Sequence, residues 1–596
     1  MSALTKRSRI LTTEERWAWG GGLLMGALCL AYAVVAVGNI LDGVPNAELV
    51  SRVAAGEVSW RPTHTRVVTW GAAVLILAWG LLYLVDRRLF GRRRPITRAA
   101  KVPSMAQYRD VRPLTRRARE KAAKMDGGPG AIFFLGYLAR TRVPLWFGHE
   151  DTMSVFTGPR WNKSSSIANP AVVEHQGPVV ATSNKPGLVT DTMRYRTGPV
   201  YIYDPQGLYH GPNEAPMYWD PLSYIYRAPT ERMVERATTL AQRFLFASGG
   251  NSKTDPHWGN AAKDIMGALM LAAAIDTKPR TILDVYSWVM APGNTEPVNI
   301  LSRDGRFPLV AASLDEYAHH PDKMRGSEYG TAQTVLSFLS HDTVRPWVTP
   351  APGRVPFYPD TMVEGTPTLY LLSKEGEAST GALTAALTIA VYEAAEAAAD
   401  AAGGRLPVPM LMVLDEVANV CRWENLPSLY THMGSRGILP IAIFQNHPQG
   451  KKMWGEEMMQ ELVSASSIFL AGGNVKGDGF HRAVAHMIEQ YERTTVSESR
   501  GKHGLTTSVS RQAEDTLSVA DIRRLPREYS LMFYPGIPCV ILRHVPIWRR
   551  KHRYKKRTEA TTMTAPVVHR THPAGHDPAP RPASTWGRKL YVEEEA

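Results

Sequence analysis

Cysteine is nearly absent from this 596-residue chain, with Cys29, Cys421 and Cys539 as the whole complement. Three scattered thiols exclude a disulfide framework and a Cys-based zinc site, and they suit a reducing compartment. The histidines, His481, His486, His544 and those of the tail among them, show no ligand spacing, so no histidine-held metal is expected. No internal repeat is present, which excludes solenoids and propellers. Acidic residues are scarce at the two ends. The first 124 residues hold 21 Lys/Arg against 8 Asp/Glu, and residues 549–596 hold 11 against 5. The formal charge of +14 therefore belongs to the termini, and residues 125–548 carry a net −5. A central body of that sign does not bind nucleic acid by bulk charge, so any such contact needs local patches.

Charge is also missing from two long runs, Trp17–Gly38 and Val67–Val85. Each is long enough to span a bilayer as a helix. Basic residues precede the first run (Lys6, Arg7, Arg9, Arg16) and follow the second (Arg87, Arg88, Arg92, Arg93, Arg94). The positive-inside rule then predicts a transmembrane hairpin over 1–94 with both termini cytoplasmic. Residues 95–130 read as a basic juxtamembrane linker. Its stretch RPLTRRAREKAAK is either an amphipathic helix on the membrane surface or a solvated connector. The last segment, 549–596, is basic and Pro/His-rich and reads as a disordered tail.

Between these ends the pattern is α/β. Short apolar runs at Met153–Phe156, Pro178–Thr182, Val200–Tyr203, Thr368–Leu372, Met410–Leu414, Pro440–Phe444, Ile468–Leu470, Leu531–Tyr534 and Val540–Val545 predict strands of a mostly parallel sheet. The clearest helix is Thr380–Ala402. Strands vanish between 226 and 345, where Glu231–Phe246, Trp258–Ala274 and Thr331–Leu339 read as helices. That block reads either as an all-α insertion, 226–345, dividing the sheet domain into 131–225 and 346–548, or as the helical layer of one large domain.

Three pieces carry chemistry. The first is Thr157–Ser165, TGPRWNKSS, between a short strand and a helix. Strand, turn, Lys-Ser and helix form the layout of a phosphate loop, in which backbone amides and the helix dipole face an anion. Lys163 adds charge and Ser164 supplies a Mg²⁺ ligand. Thr157, Gly158, Pro159, Arg160, Trp161, Asn162, Lys163, Ser164 and Ser165 are the expected nucleotide-binding residues. Glycine is lacking at two loop places, held by Thr157 and Asn162. Asn is the non-glycine residue that best tolerates the left-handed conformation, so the turn survives at Asn162. The second piece is the strand ending in Asp415-Glu416. Its first carboxylate suits Mg²⁺ and its second suits a general base. The third is the strand ending in Gln445, placed to sense a γ-phosphate. Arg436, in GSRG, is either an arginine finger acting on a neighbouring subunit or a surface or nucleic-acid contact. Asp204, in YDPQG, reads foremost as a turn former.

In order along the chain, two membrane spans, GPRWNKSSSIANPAV, GPVVATSNKPGLV, VYIYDPQG, HWGNAAKDIMGALMLAAA, LDEVANV and SRGILPIAIFQN resemble the TraG/TraD family of type IV secretion coupling proteins, in its actinobacterial form. The resemblance spans about residues 15–548. It departs from the family in the phosphate loop, at Thr157, Trp161 and Asn162. It implies a RecA-like P-loop NTPase that binds ATP and Mg²⁺ and assembles as a homo-hexamer under the membrane. It further implies delivery of single-stranded DNA with its relaxase to type IV secretion channel proteins, driven by ATP hydrolysis. Two other readings stand beside it. One is a docking scaffold with weak or no ATPase activity, and the other is an FtsK-like duplex or protein translocase.

Overall fold

In the computed structural model, residues 105–126, 131–213, 216–249, 256–374, 380–475, 478–488, 490–501 and 504–550 are described. The two expected membrane spans and the tail beyond 550 lie outside them. One described helix, Gly381–Ala401, is long and apolar enough to cross a membrane, and most of it is buried within the protein.

Eleven strands form one sheet. Seven of them run parallel: β3 (Met153–Phe156), β4 (Val179–Ser183), β5 (Val200–Tyr203), β8 (Thr368–Leu372), β9 (Met410–Asp415), β10 (Ile438–Phe444) and β11 (Ile468–Gly472). Their order is β11-β3-β10-β9-β4-β8-β5. Every residue of β3, β4, β8, β9, β10 and β11 is buried, because helices cover both faces of a parallel sheet. Four antiparallel strands extend it past β11: β14 (Tyr529–Tyr534), β15 (Ile537–Arg543), β1 (Ala131–Leu138) and β2 (Pro144–Gly148). A separate hairpin joins β12 (Gln490–Gly501) to β13 (Gly504–Asp515) in unbroken register.

Pro440 stands in β10, where a central strand normally excludes proline. Alternation turns it towards β3, but β3 begins opposite Ile441. Two residues on, the buried Tyr430 hydroxyl accepts from Ala442 N at 2.9 Å and donates to Met153 O at 3.0 Å. The two strands thus start their pairing through a side chain, and the missing N–H of Pro440 leaves no ladder bond broken.

The helical block leaves after β5 and returns at β8, two strands that are neighbours in the sheet. Its ends are tied by β6 (Met217–Tyr218) and β7 (Val355–Pro356), a two-residue parallel pair. Between them lie helices Thr230–Ala247, Pro256–Ile275, Ile282–Val289, Glu296–Asp304, Pro308–His319 and Asp322–Leu336. Tyr224, Arg236 and Arg243 all converge on Glu393 of the sheet helix Gly381–Ala401.

Packed structure reaches beyond two of the expected boundaries. Within the stretch expected as a basic linker, residues 105–126 are packed against the sheet domain. Helix Arg116–Asp126 packs on β2, and Arg119 pairs with the buried Asp151 at 2.6 Å. Burial outweighs that ion pair and raises the Asp151 carboxyl above its ordinary value. At the other end, Arg550 is folded rather than tail. It is 2% exposed, donates to Phe134 O at 3.0 Å and pairs with Glu174 at 2.9 Å.

His175 and His544 are fully enclosed, bonded to Pro409 O and to Leu135 O and Ser530 respectively. Burial pushes each imidazole down to about 3. A folded pKa below the unfolded value, about 6.5, contributes stability fully present above pH 6.5 and lost as pH falls towards 3. Between pH 6.5 and 5 the pair is expected to cost about 3 kcal/mol together. Urea unfolding at stepped pH checks this, and His544→Gln, less stable at pH 7, should show roughly half the slope.

Candidate nucleotide site

Parallel strands end on a common edge, and the loops after β3, β4, β9, β10 and β11 meet there. The loop after β3 is held by Thr157 N donating to Phe444 O at 3.2 Å and Gly158 N donating to Gly473 O at 3.1 Å. Asn162 is left-handed (φ 69°), as its residue type allows, and Arg160 is left-handed too (φ 60°). The first helical bond runs from Ser166 N to Asn162 O at 2.9 Å. The amides of Lys163, Ser164 and Ser165 precede it, at the positive end of the helix. Ser164–Ala168 then forms a wide turn, with Asn169 N reaching Ser164 O. The widening falls immediately before Pro170, which has no N–H to continue the ladder.

The residues in the two glycine places explain the loop's packing. Thr157 is fully buried, and its methyl lies 2.7 Å from where a Cβ on Gly472 would stand. A Cβ on Gly158 would stand 1.9 Å from Asn474 O. Bulk in the loop is matched by glycine at the end of β11. Trp161 is buried, donates from Nε1 to Tyr529 O at 3.1 Å and stands edge-on to His544. Its side chain anchors the loop to β14 and β15, which leaves only its backbone to meet a ligand. Pro159 and Arg160 are exposed.

Lys163 reaches across to the end of β9. Its Nζ lies 2.8 Å from Glu416 Oε1 and 3.1 Å from Asp415 Oδ1. Ser164 Oγ donates to Asp415 Oδ2 at 2.8 Å. All four groups are withdrawn from solvent, with Lys163 13% exposed and both carboxylates 4% exposed at the side chain. Asp415 Oδ1 touches the Lys163 charge but accepts no hydrogen bond. A hydroxyl beside a carboxylate with a spare buried oxygen is the hard-oxygen donor set that Mg²⁺ prefers, so Ser164 and Asp415 fit the ion.

Glu416 has a left-handed backbone (φ 54°), a strained conformation for a glutamate. Its Oε2 accepts from Asn184 Nδ2 at 2.5 Å. Asn184 follows β4, within T-S-N-K-P, and was not among the expected site residues, although that stretch carried the signal. Gln445 follows β10 and is half-buried on the same edge. Arg436 does not join the group. It precedes β10, at the opposite edge of the sheet, and pairs with Asp400 at 2.5 Å and Glu396 at 3.5 Å. Asp204 caps its own turn, accepting from Tyr209 N at 2.7 Å and Gly207 N at 3.2 Å.

Residues 409–527 match the family described as the TraM recognition site of TraD and TraG, so the chain is TraG/TraD-like over the stretch that carries β9 to β13. No curated protein matches by sequence. Among solved structures, the unbound conjugative coupling protein TrwBΔN70 is 14% identical. That match covers 71% of this chain and 90% of that one, with a TM-score of 0.47. TrwB in complex with ADP and Mg²⁺ is 15% identical, covering 71% and 91%, with a TM-score of 0.46. VirB4 of Thermoanaerobacter pseudethanolicus is 12% identical, covering 70% and 97%, with a TM-score of 0.39.

Proposed function

We propose that this TraG/TraD-like chain is a membrane-anchored, RecA-like ATPase that couples a relaxase–DNA substrate to a type IV secretion channel and drives single-stranded DNA through it. One observation carries the reading: Lys163 stands within 3.1 Å of both Asp415 and Glu416, the latter 253 residues away in sequence. Lysine at a phosphate loop and two carboxylates at a neighbouring strand tip are the groups needed to bind and split a nucleoside triphosphate.

In this reading Lys163 and the amides of residues 163–165 hold the β- and γ-phosphates. Ser164 and Asp415 hold Mg²⁺, whose charge offsets that of the phosphates. Glu416 takes the proton of the attacking water, and Gln445 senses the γ-phosphate. Arg436, at the far sheet edge, acts on the site of an adjacent subunit in a ring of six. Trp17–Gly38 and Val67–Val85 anchor that ring, and the helical block 226–345 receives the substrate.

The packed loop, with Thr157 and Trp161 buried, favours a second reading in which the chain binds nucleotide without turnover and serves as a docking scaffold. Phosphate release by the detergent-solubilised full chain separates the two. The motor is expected to release phosphate several-fold faster with single-stranded DNA, on the order of the 1–100 s⁻¹ range of phosphoryl-transfer enzymes at most. Nucleotide binding without release at any DNA concentration supports the scaffold, and preference for duplex DNA supports an FtsK-like translocase.

A further inference from the structure

We infer that Asn184 is a positioning residue that restrains Glu416 and thereby holds hydrolysis back until DNA is engaged. The inference rests on the ATPase reading above.

Both carboxylate oxygens of Glu416 are occupied, Oε1 by Lys163 and Oε2 by Asn184. A general base needs a lone pair turned to its water. On nucleotide binding Lys163 is drawn to the phosphates, which leaves Asn184 as the holding partner of the two. Strand order gives that hold a direction. β9 lies between β10 and β4, and the phosphate loop follows β3, on the far side of β10. Asn184 follows β4, so its bond holds Oε2 from the β4 side while Oε1 reaches Lys163 on the loop after β3. The backbone of Glu416 is strained at φ 54°, so its posture depends on its partners rather than on its own preference.

The same loop offers a handle for release. Lys185, next to Asn184, is exposed, and its amide is fixed to the β4 end by Ser183 Oγ at 3.2 Å. A polyanion drawing on Lys185 pulls directly on the residue that holds Glu416. Single-stranded DNA is the polyanion that the proposed function supplies.

The test is phosphate release by the full-length chain with and without single-stranded DNA, alongside affinity for a fluorescent ATP analogue. Asn184→Ala is expected to raise DNA-independent release on the order of tenfold, the scale of one hydrogen bond to a charged group. The ratio of stimulated to basal rate should fall to about one while analogue affinity stays within about twofold, because Asn184 bonds Glu416, which is not among the groups proposed to hold the phosphates. Asn184→Gln, which keeps the amide donor, should restore stimulation. Asn184→Asp, nearly isosteric, places a like charge beside Glu416 and should mimic the alanine variant, which keeps the question open to test if the latter fails to fold. Stimulation retained in both variants, or basal and stimulated rates falling in parallel, overturns the restraint. A wild-type chain that binds no nucleotide overturns the proposed function instead.

Discussion

Lys163→Ala is expected to abolish DNA transfer and to reduce phosphate release by about 10³-fold, the scale on which a fixed cation stabilises developing charge. The residue has two jobs, and the variant should show both. With nucleotide present, Lys163 is the one side-chain cation among the residues expected to contact the phosphates that faces inward, since Arg160 is exposed. Without nucleotide, it neutralises Asp415 and Glu416 at 3.1 and 2.8 Å. Its loss leaves two adjacent carboxylates that are 3% and 5% exposed. Removing one partner from a buried ion pair costs roughly 3–5 kcal/mol. The melting temperature should therefore drop, and millimolar Mg²⁺ should recover part of the loss by binding at Ser164 and Asp415. Matings that proceed normally with Lys163→Ala would sink the motor, and an unchanged melting temperature would sink the neutralising role.

Glu416→Gln should separate chemistry from binding. Glutamine keeps the shape and can still accept from Asn184, so the edge stays packed. It loses the ability to take a proton, and general-base removal typically costs 10²–10⁴-fold, so release should fall by about that factor. ATP affinity should hold within about twofold, in contrast to the lysine variant, because the groups that hold phosphate remain. Hydrolysis that persists in Glu416→Gln would transfer the base to another residue. Gln445 cannot fill that role, because an amide has no useful basicity.

The parallel sheet was legible in the sequence because each central strand is buried on both faces and reads as an unbroken apolar run. MLMVL and PIAIF need no partner to declare themselves. Met153–Phe156, Val200–Tyr203 and Thr368–Leu372 have the bounds expected. β12 and β13 were not legible: QYERTTVSESRG is polar along its whole length and gives no hydrophobic period. β1 and β2 were not expected, although AIFFLGYL of β1 is an apolar run, and the register shifts in their pairing, between Ala131 and Phe133 and between Phe134 and Gly136, are a fact of the sheet alone. In the helical block, short helices such as Ile282–Val289 show their starts only through a cap, here Thr281 with Asp284. At the site, residue types and strand ends pointed to Lys163, Ser164, Asp415 and Glu416. The bond from Asn184 was not legible, since it depends on β4 being the neighbour of β9, a fact of strand order rather than of composition. The burial of Trp161 depends on β14, more than 360 residues later, and no local pattern announces it.

The position of β3 has a consequence for synthesis. It is the first strand of the parallel set to leave the ribosome, yet both its neighbours, β10 and β11, come from the last third of the chain. Thr152 waits 315 residues for Ser467. At 5–20 residues per second that interval is roughly 15 to 60 s. Throughout it, the nascent polypeptide carries an apolar segment and the loop attached to it without the edges that will clamp them. The loop after β3 therefore acquires its shape near the end of translation, and a chain released early keeps β4, β5 and β8 without the neighbours that clamp that loop.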